Sequence, residues 1–119
     1  MKEPKVIHIP IYNESLTVYP EHMPECMPEQ LRREDATATY WADDKGIYLA
    51  VDLESFRLDS LAHECVHLAN RILESRNVVY YPTQDEALAY LVGFLFSAIY
   101  CECFGGSTKN PTASEKEEV

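Results

Sequence analysis

The stretch that most constrains this chain is residues 58–77, LDSLAHECVHLANRILESRN. Leu61, Cys65, Leu68 and Ile72 recur at helical spacing, and Ala62, Val66, Ala69 and Leu73 widen them into an apolar stripe. At about 100° per residue this describes an amphipathic helix whose stripe must be buried against another layer. His63 and His67 fall outside the stripe, four residues apart, so both project from one polar face about one turn apart. That spacing suits two ligands of a single ion, and Glu64 lies between them.

The other segments show what that helix can pack on. Residues 5–19, KVIHIPIYNESLTVY, alternate in polarity and read as two short strands around a turn at Asn13-Glu14. After a proline-punctuated loop, PEQLRRED reads as a short helix with Pro28 in its first turn. ATATYWADDKGIYLAVDLES reads as a hairpin turning at DDKG, with Ile47, Leu49, Val51 and Leu53 facing the core. Ser55 is the expected N-cap of the histidine-bearing helix, which should run to about Ser75. DEALAYLVGFLFSAIYCECF is a second helix, apolar almost all round. Its apolar run is about fifteen residues, short of the roughly 20 needed to span a bilayer, so the expectation is a buried core helix with one side available for a homodimer contact. The fold expected is α+β: a small antiparallel or mixed sheet packed on the two helices. At 119 residues there is room for one domain over 1–104, followed by a flexible acidic tail over 105–119 that could lie across a cleft.

The formal net charge of −10 excludes the basic patch that nucleic acid or an anionic membrane surface requires. The N-terminal segment MKEPKVIHIP has no secretory apolar run, so a cytoplasmic location and free, reduced thiols are expected for Cys26, Cys65, Cys101 and Cys103. His8 and His22 have no partner at ligand spacing and are left out of the site.

A catalytic zinc takes three protein ligands, so His63 and His67 need a third. Glu74 lies seven residues past His67, about 10 Å along the axis, too far to share the ion. Six residues past His67, where a metzincin places a third histidine, the chain has Leu73. Glu86, opening the second helix, is the preferred ligand, since a short return loop can bring an antiparallel helix back beside the histidines. Asp85 competes with it, and both carboxylates would also suit a helix N-terminus without any metal.

HECVH followed by DEALAY resembles the gluzincins, the thermolysin-like zinc peptidases, and TYWADDKGIYLAV is similar to the edge strand and its neighbour that precede their active-site helix. In economy the chain resembles minigluzincins and small phage and bacterial metallopeptidase-like proteins. The resemblance implies a Zn2+ bound by His63, His67 and Glu86, with Glu64 as general base in peptide-bond hydrolysis. It also implies a peptide or protein substrate paired as an added strand along Ala38–Trp41. Two positions depart from the pattern: Ala38 stands where the edge strand carries a substrate-binding asparagine, and Tyr90 where an aspartate orients a zinc histidine. Tyr80, Tyr81 and Tyr90 are candidate oxyanion donors, each also readable as a packing aromatic. The alternative function is a zinc-containing module without hydrolytic activity that binds proteins through its hairpin edge or apolar helix.

Overall fold

The computed structural model describes residues 3–79, 81, 83 and 85–104; the segment expected to form a tail, 105–119, lies outside them. The fold is α+β: a four-stranded mixed sheet and two helices. In chain order the elements are β1 (Lys5–Ile9), β2 (Glu14–Tyr19), a single 3-10 turn (Glu29–Leu31), β3 (Ala38–Asp43), β4 (Gly46–Val51), α1 (Leu58–Ser75) and α2 (Glu86–Phe104). The sheet order is β1-β2-β4-β3, with β2 and β4 parallel and both outer pairings antiparallel. β3 is therefore an edge strand although it lies between β2 and β4 in sequence.

Alternation along the strands sorts their side chains onto two faces. Ile7 and Ile9, Leu16 and Val18, and Ile47, Leu49 and Val51 are buried on the face that receives the helices. The opposite face has a smaller core of its own, Met27, Trp41 and Ala50, in which Trp41 stacks between Tyr19 (6.1 Å) and Tyr48 (5.5 Å). Residues 20–37 supply part of that cover, held by Arg32 Nη2 donating to the carbonyl of Pro24 at 2.8 Å. Central strand β4 is thus covered on both sides, more than its alternating pattern suggested.

Four details differ from the sequence reading. The first turn occupies residues 10–13, with Ile11 (φ 75°) and Asn13 (φ 51°) in the left-handed region, and Glu14 already belongs to β2. Ser55 does not cap α1: Asp52 captures the Glu54 N–H at 3.1 Å and the Ser55 hydroxyl at 2.7 Å, and this local turn delays the helix to Leu58. The same hydrogen bond, with the Ser55 hydroxyl as the main cause, holds the Asp52 carboxyl below its ordinary range. Leu53 falls beyond β4 and is only half-buried. PEQLRRED forms one 3-10 turn after Pro28 rather than a longer helix.

The end of α1 is fixed sharply. The N–H of Asn77 bonds the carbonyl of Glu74 (3.1 Å) and that of Val78 the carbonyl of Leu73 (2.9 Å), the Schellman pattern, with Asn77 in the required left-handed conformation at φ 59°. Arg76 then ties the helix end to the first turn, donating to the carbonyls of Tyr12 (2.8 Å) and Asn13 (3.1 Å) and to Glu14 (2.9 Å).

The second helix departs furthest from expectation. α2 buries only Leu91, Leu95 and Ile99 completely, a single stripe at four-residue spacing that packs with α1 and the sheet. It is not a helix enclosed on all sides. It is long and apolar enough to cross a membrane by length and composition, over an extent greater than the fifteen-residue run suggested, and 17% of its most apolar window is buried.

Candidate metal centre

α1 places the motif as its periodicity requires. Leu61, Cys65, Leu68, Ala69, Ile72 and Leu73 are buried beneath it, and His63 and His67 are exposed on the far side. The two imidazoles turn toward each other, Nε2 to Nε2 at 3.1 Å. Two nitrogens each about 2.0–2.1 Å from one tetrahedral zinc are separated by roughly 3.3 Å, so the pair nearly has the spacing of two ligands of one ion. The same distance also suits an imidazole N–H···N hydrogen bond between the rings.

The edge strand β3 forms the other wall. Tyr40 stacks its ring on His67, centroids 5.8 Å apart and 15° from parallel. Its backbone N–H also favours the charged form of Glu64, the smallest of the influences on that carboxyl. The N–H is available because of ladder parity: Asp52 bonds the Thr37 carbonyl at 2.9 Å, which makes odd-numbered β3 residues the ones bonded to β4 and turns the peptide groups of Ala38, Tyr40 and Ala42 outward. One residue of an open edge thus bears on both a histidine and the glutamate between the histidines.

Glu64 is half-buried, and its pKa is raised above the ordinary carboxylate range. Desolvation is the main cause; the two histidines and the Tyr40 N–H oppose it. A cleft of about 540 Å³ adjoins His63 and Glu64, walled by Thr37, Ala38, Arg57 and Asp59. Arg57 and Asp59 form a two-point ion pair at its mouth, 3.0 and 2.7 Å. A second cleft of about 500 Å³ lies further along the same helix face, walled by Asn70, Glu74, Asn77 and Val79. The histidine pair thus has a depression on each side.

The remaining expected site residues are placed differently. Glu86 is the first residue of α2 and is exposed; at about 100° per residue it lies some 140° round the helix from Leu91, on the side opposite the buried stripe. Among the described residues no group of three or more His, Cys, Asp or Glu side chains forms, so Glu86 is not gathered with His63 and His67. Asp85 is likewise exposed just before the helix. Tyr81 and Tyr90 are exposed, and Tyr80 lies outside the described residues. Ala38 is on β3 and lines the cleft beside His63 and Glu64. The role of Tyr40 is not readable from sequence, because nothing in the spacing of a strand indicates which of its rings meets a helix packed across it.

No protein-family model, curated protein or solved structure matches this chain.

Proposed function

We propose that the chain is a zinc-dependent metallopeptidase of minimal gluzincin type, acting on peptide or protein substrates. The observation that carries this reading is the 3.1 Å convergence of His63 and His67 beside a desolvated glutamate, with the open edge strand β3 along the site. The imidazole pair fits a zinc ion. The third ligand rests on the resemblance alone, with Glu86 the residue to test and Asp85 its competitor.

His63 and His67 would hold the ion, which when bound supplies an acidified water and a polarised substrate carbonyl. Glu64 accepts a proton on its carboxylate and returns it to the leaving amine. The Tyr40 ring, stacked on His67, limits rotation of that imidazole, and the Tyr40 N–H favours the charged form of Glu64. The outward peptide groups of Ala38 and Ala42, with the Tyr40 carbonyl, provide donors and acceptors for an extended substrate added to the sheet edge.

Metal analysis of the purified protein beside His63→Ala, Glu86→Ala and Asp85→Ala tests this reading before any substrate is known. Stoichiometric zinc lost in His63→Ala is expected, and zinc unchanged by that substitution refutes the site. With a cleavable substrate, Glu64→Gln should retain zinc and lose about 10²–10⁴-fold in rate.

The placement of Glu86 away from the histidines favours a second reading, a protein-binding module that acts through the β3 edge without hydrolysis. Zinc bound normally, substrates left intact, and Glu64→Gln behaving as wild type would establish it.

A further inference from the structure

Arg71 continues the row that begins with the histidines. His63, His67 and Arg71 stand four residues apart on one face of α1, so the guanidinium follows His67 by one turn, about 6 Å along the axis. β3 advances in step beside them. Ala38 shares a cleft with His63 and Glu64, Tyr40 stacks on His67, and Ala42 shares a further cleft, of about 200 Å³, with Arg71. From Tyr40 to Ala42 the strand likewise rises about 6.8 Å. The other four arginines are engaged: Arg32 with the carbonyls of Pro24 and Glu25, Arg33 with Asp35, Arg57 with Asp59, and Arg76 with Glu14 and the first turn. Arg71 is exposed and has no hydrogen-bond or ion-pair partner among the described residues.

We propose that Arg71 selects an acidic side chain on a peptide added to the β3 edge, at the peptide residue that pairs with Ala42. This rests on the reading of that edge as the peptide site, and it holds whether or not the peptide is cut. Ala42 turns both its N–H and its carbonyl outward. In antiparallel addition, the more stable pairing, a residue opposite Ala42 makes both hydrogen bonds to it, and the peptide is held in register there. Opposed residues of a sheet put their side chains on the same face. Ala42 packs toward the helices, so the side chain of its partner points to the α1 side, where Arg71 stands. A guanidinium with no other partner can take a carboxylate there through two parallel N–H donors.

The neighbouring carboxylates leave Arg71 available. Asp43, in the same cleft, accepts from the N–H groups of Lys45 and Gly46 and from the Tyr48 hydroxyl. Asp44, which also lines it, and Glu74, three residues further along the helix, form no ion pair with Arg71. The formal net charge of −10 acts against every acidic peptide, but charges more than about 8 Å away are largely screened at physiological ionic strength. That repulsion falls alike on the wild type and on Arg71 variants, whereas the local ion pair is lost only when Arg71 is removed. A lysine or arginine on the peptide would meet the guanidinium as a like charge and is selected against.

Peptide binding to the full chain tests the proposal, measured by fluorescence anisotropy on Glu64→Gln protein with zinc added, so that no bond is cut. The probes are labelled, end-blocked peptides of Thr and Val, alike except for one central Glu, Gln or Lys. The ratio of Glu-peptide to Gln-peptide affinity should fall about two- to fivefold when Arg71→Gln is introduced, the range of an exposed ion pair. Arg71→Glu should turn the preference to the Lys peptide, and Arg71→Lys, which keeps the charge without the fork, should retain part of the original one. Circular dichroism and melting should be unchanged in all three, because the Arg71 side chain is exposed. The Ala42 amide signal should shift as peptide is added. A Glu-to-Gln ratio that is the same with Arg71→Gln, while the Ala42 amide still shifts, overturns the role of Arg71 and leaves the edge site standing. Failure to bind any of the three peptides, or binding that leaves the Ala42 amide unmoved, overturns the edge site and this proposal with it.

Discussion

The two helices differ by one residue in length and use their apolar residues in opposite ways. α1, with 18 residues, buries six of them and keeps its histidines in solvent; α2, with 19 residues and a far more apolar composition, buries three. Burial here follows periodicity rather than hydrophobicity. An apolar stripe with a polar complement specifies one orientation against a sheet, whereas a helix apolar all round leaves its orientation to whatever it touches. The two histidines lie on the helix whose orientation is fixed, and the more exposed apolar surface is on the other.

Core truncations give the largest test of this contrast. Leu68→Ala on α1 and Leu95→Ala on α2 should each lower the unfolding free energy by about 2–5 kcal/mol in urea titrations, since both side chains are fully buried. Tyr90→Ala on the outer face of α2 should stay within about 0.5 kcal/mol in the monomer. A Leu95→Ala variant as mild as Tyr90→Ala would mean that α2 is not docked by its buried stripe.

The thiols sharpen the contrast. Cys65, beneath α1, is pushed up to about 12 by burial, whereas Cys101 and Cys103 on α2 are half-buried. A thiol whose pKa is raised on folding contributes stability that is complete below its ordinary value near 9 and lost as pH climbs toward 12. Melting temperature should therefore fall across that alkaline window, and Cys65→Val should reduce the slope. Tyr19, raised to about 12 chiefly by its hydrogen bond with Cys26, and Tyr48, raised by desolvation, add to the slope, so Tyr19→Phe should reduce it further without abolishing it. In native protein an aromatic disulfide reagent should label the α2 thiols well before Cys65.

Two smaller effects concern the ends and walls of α1. If zinc binds as proposed, Tyr40→Leu should weaken it by about 10-fold, the low end for groups that orient a metal ligand, and Tyr40→Phe should leave it unchanged because ring and N–H both remain. Equal zinc affinity in Tyr40→Leu and wild type would remove the Tyr40 ring from the site. Asn77→Val should cost about 1–2 kcal/mol in thermal unfolding, the penalty of a left-handed β-branched residue, whereas Asn77→Gly should cost nothing.

Much of the α1 side was readable because several local signals agreed there. The spacing of Leu61, Cys65, Leu68 and Ile72 indicates the buried stripe and thereby the exposure of His63 and His67. The Asp43–Gly46 turn closes as DDKG suggests, with Asp43 Oδ1 accepting the N–H groups of Lys45 (2.8 Å) and Gly46 (3.1 Å). Ser55 misled because two local hydrogen-bonding schemes competed for it, and the turn built on Asp52 won. The rotation of α2 that leaves Glu86 exposed was not readable, because a motif spacing states how far a loop can reach, not how the helix after it is turned.

The sequence by itself determined the α+β class, the hairpin, both helices and the convergence of two imidazoles one turn apart, since all of these follow from local periods of two or 3.6 residues. Only the tertiary structure decided that β3 lies at the sheet edge beside α1, that Tyr40 stacks on His67, and that α2 turns Glu86 to solvent. Those outcomes depend on contacts between segments far apart in the chain, where packing chooses the orientation and local propensity carries no information about it.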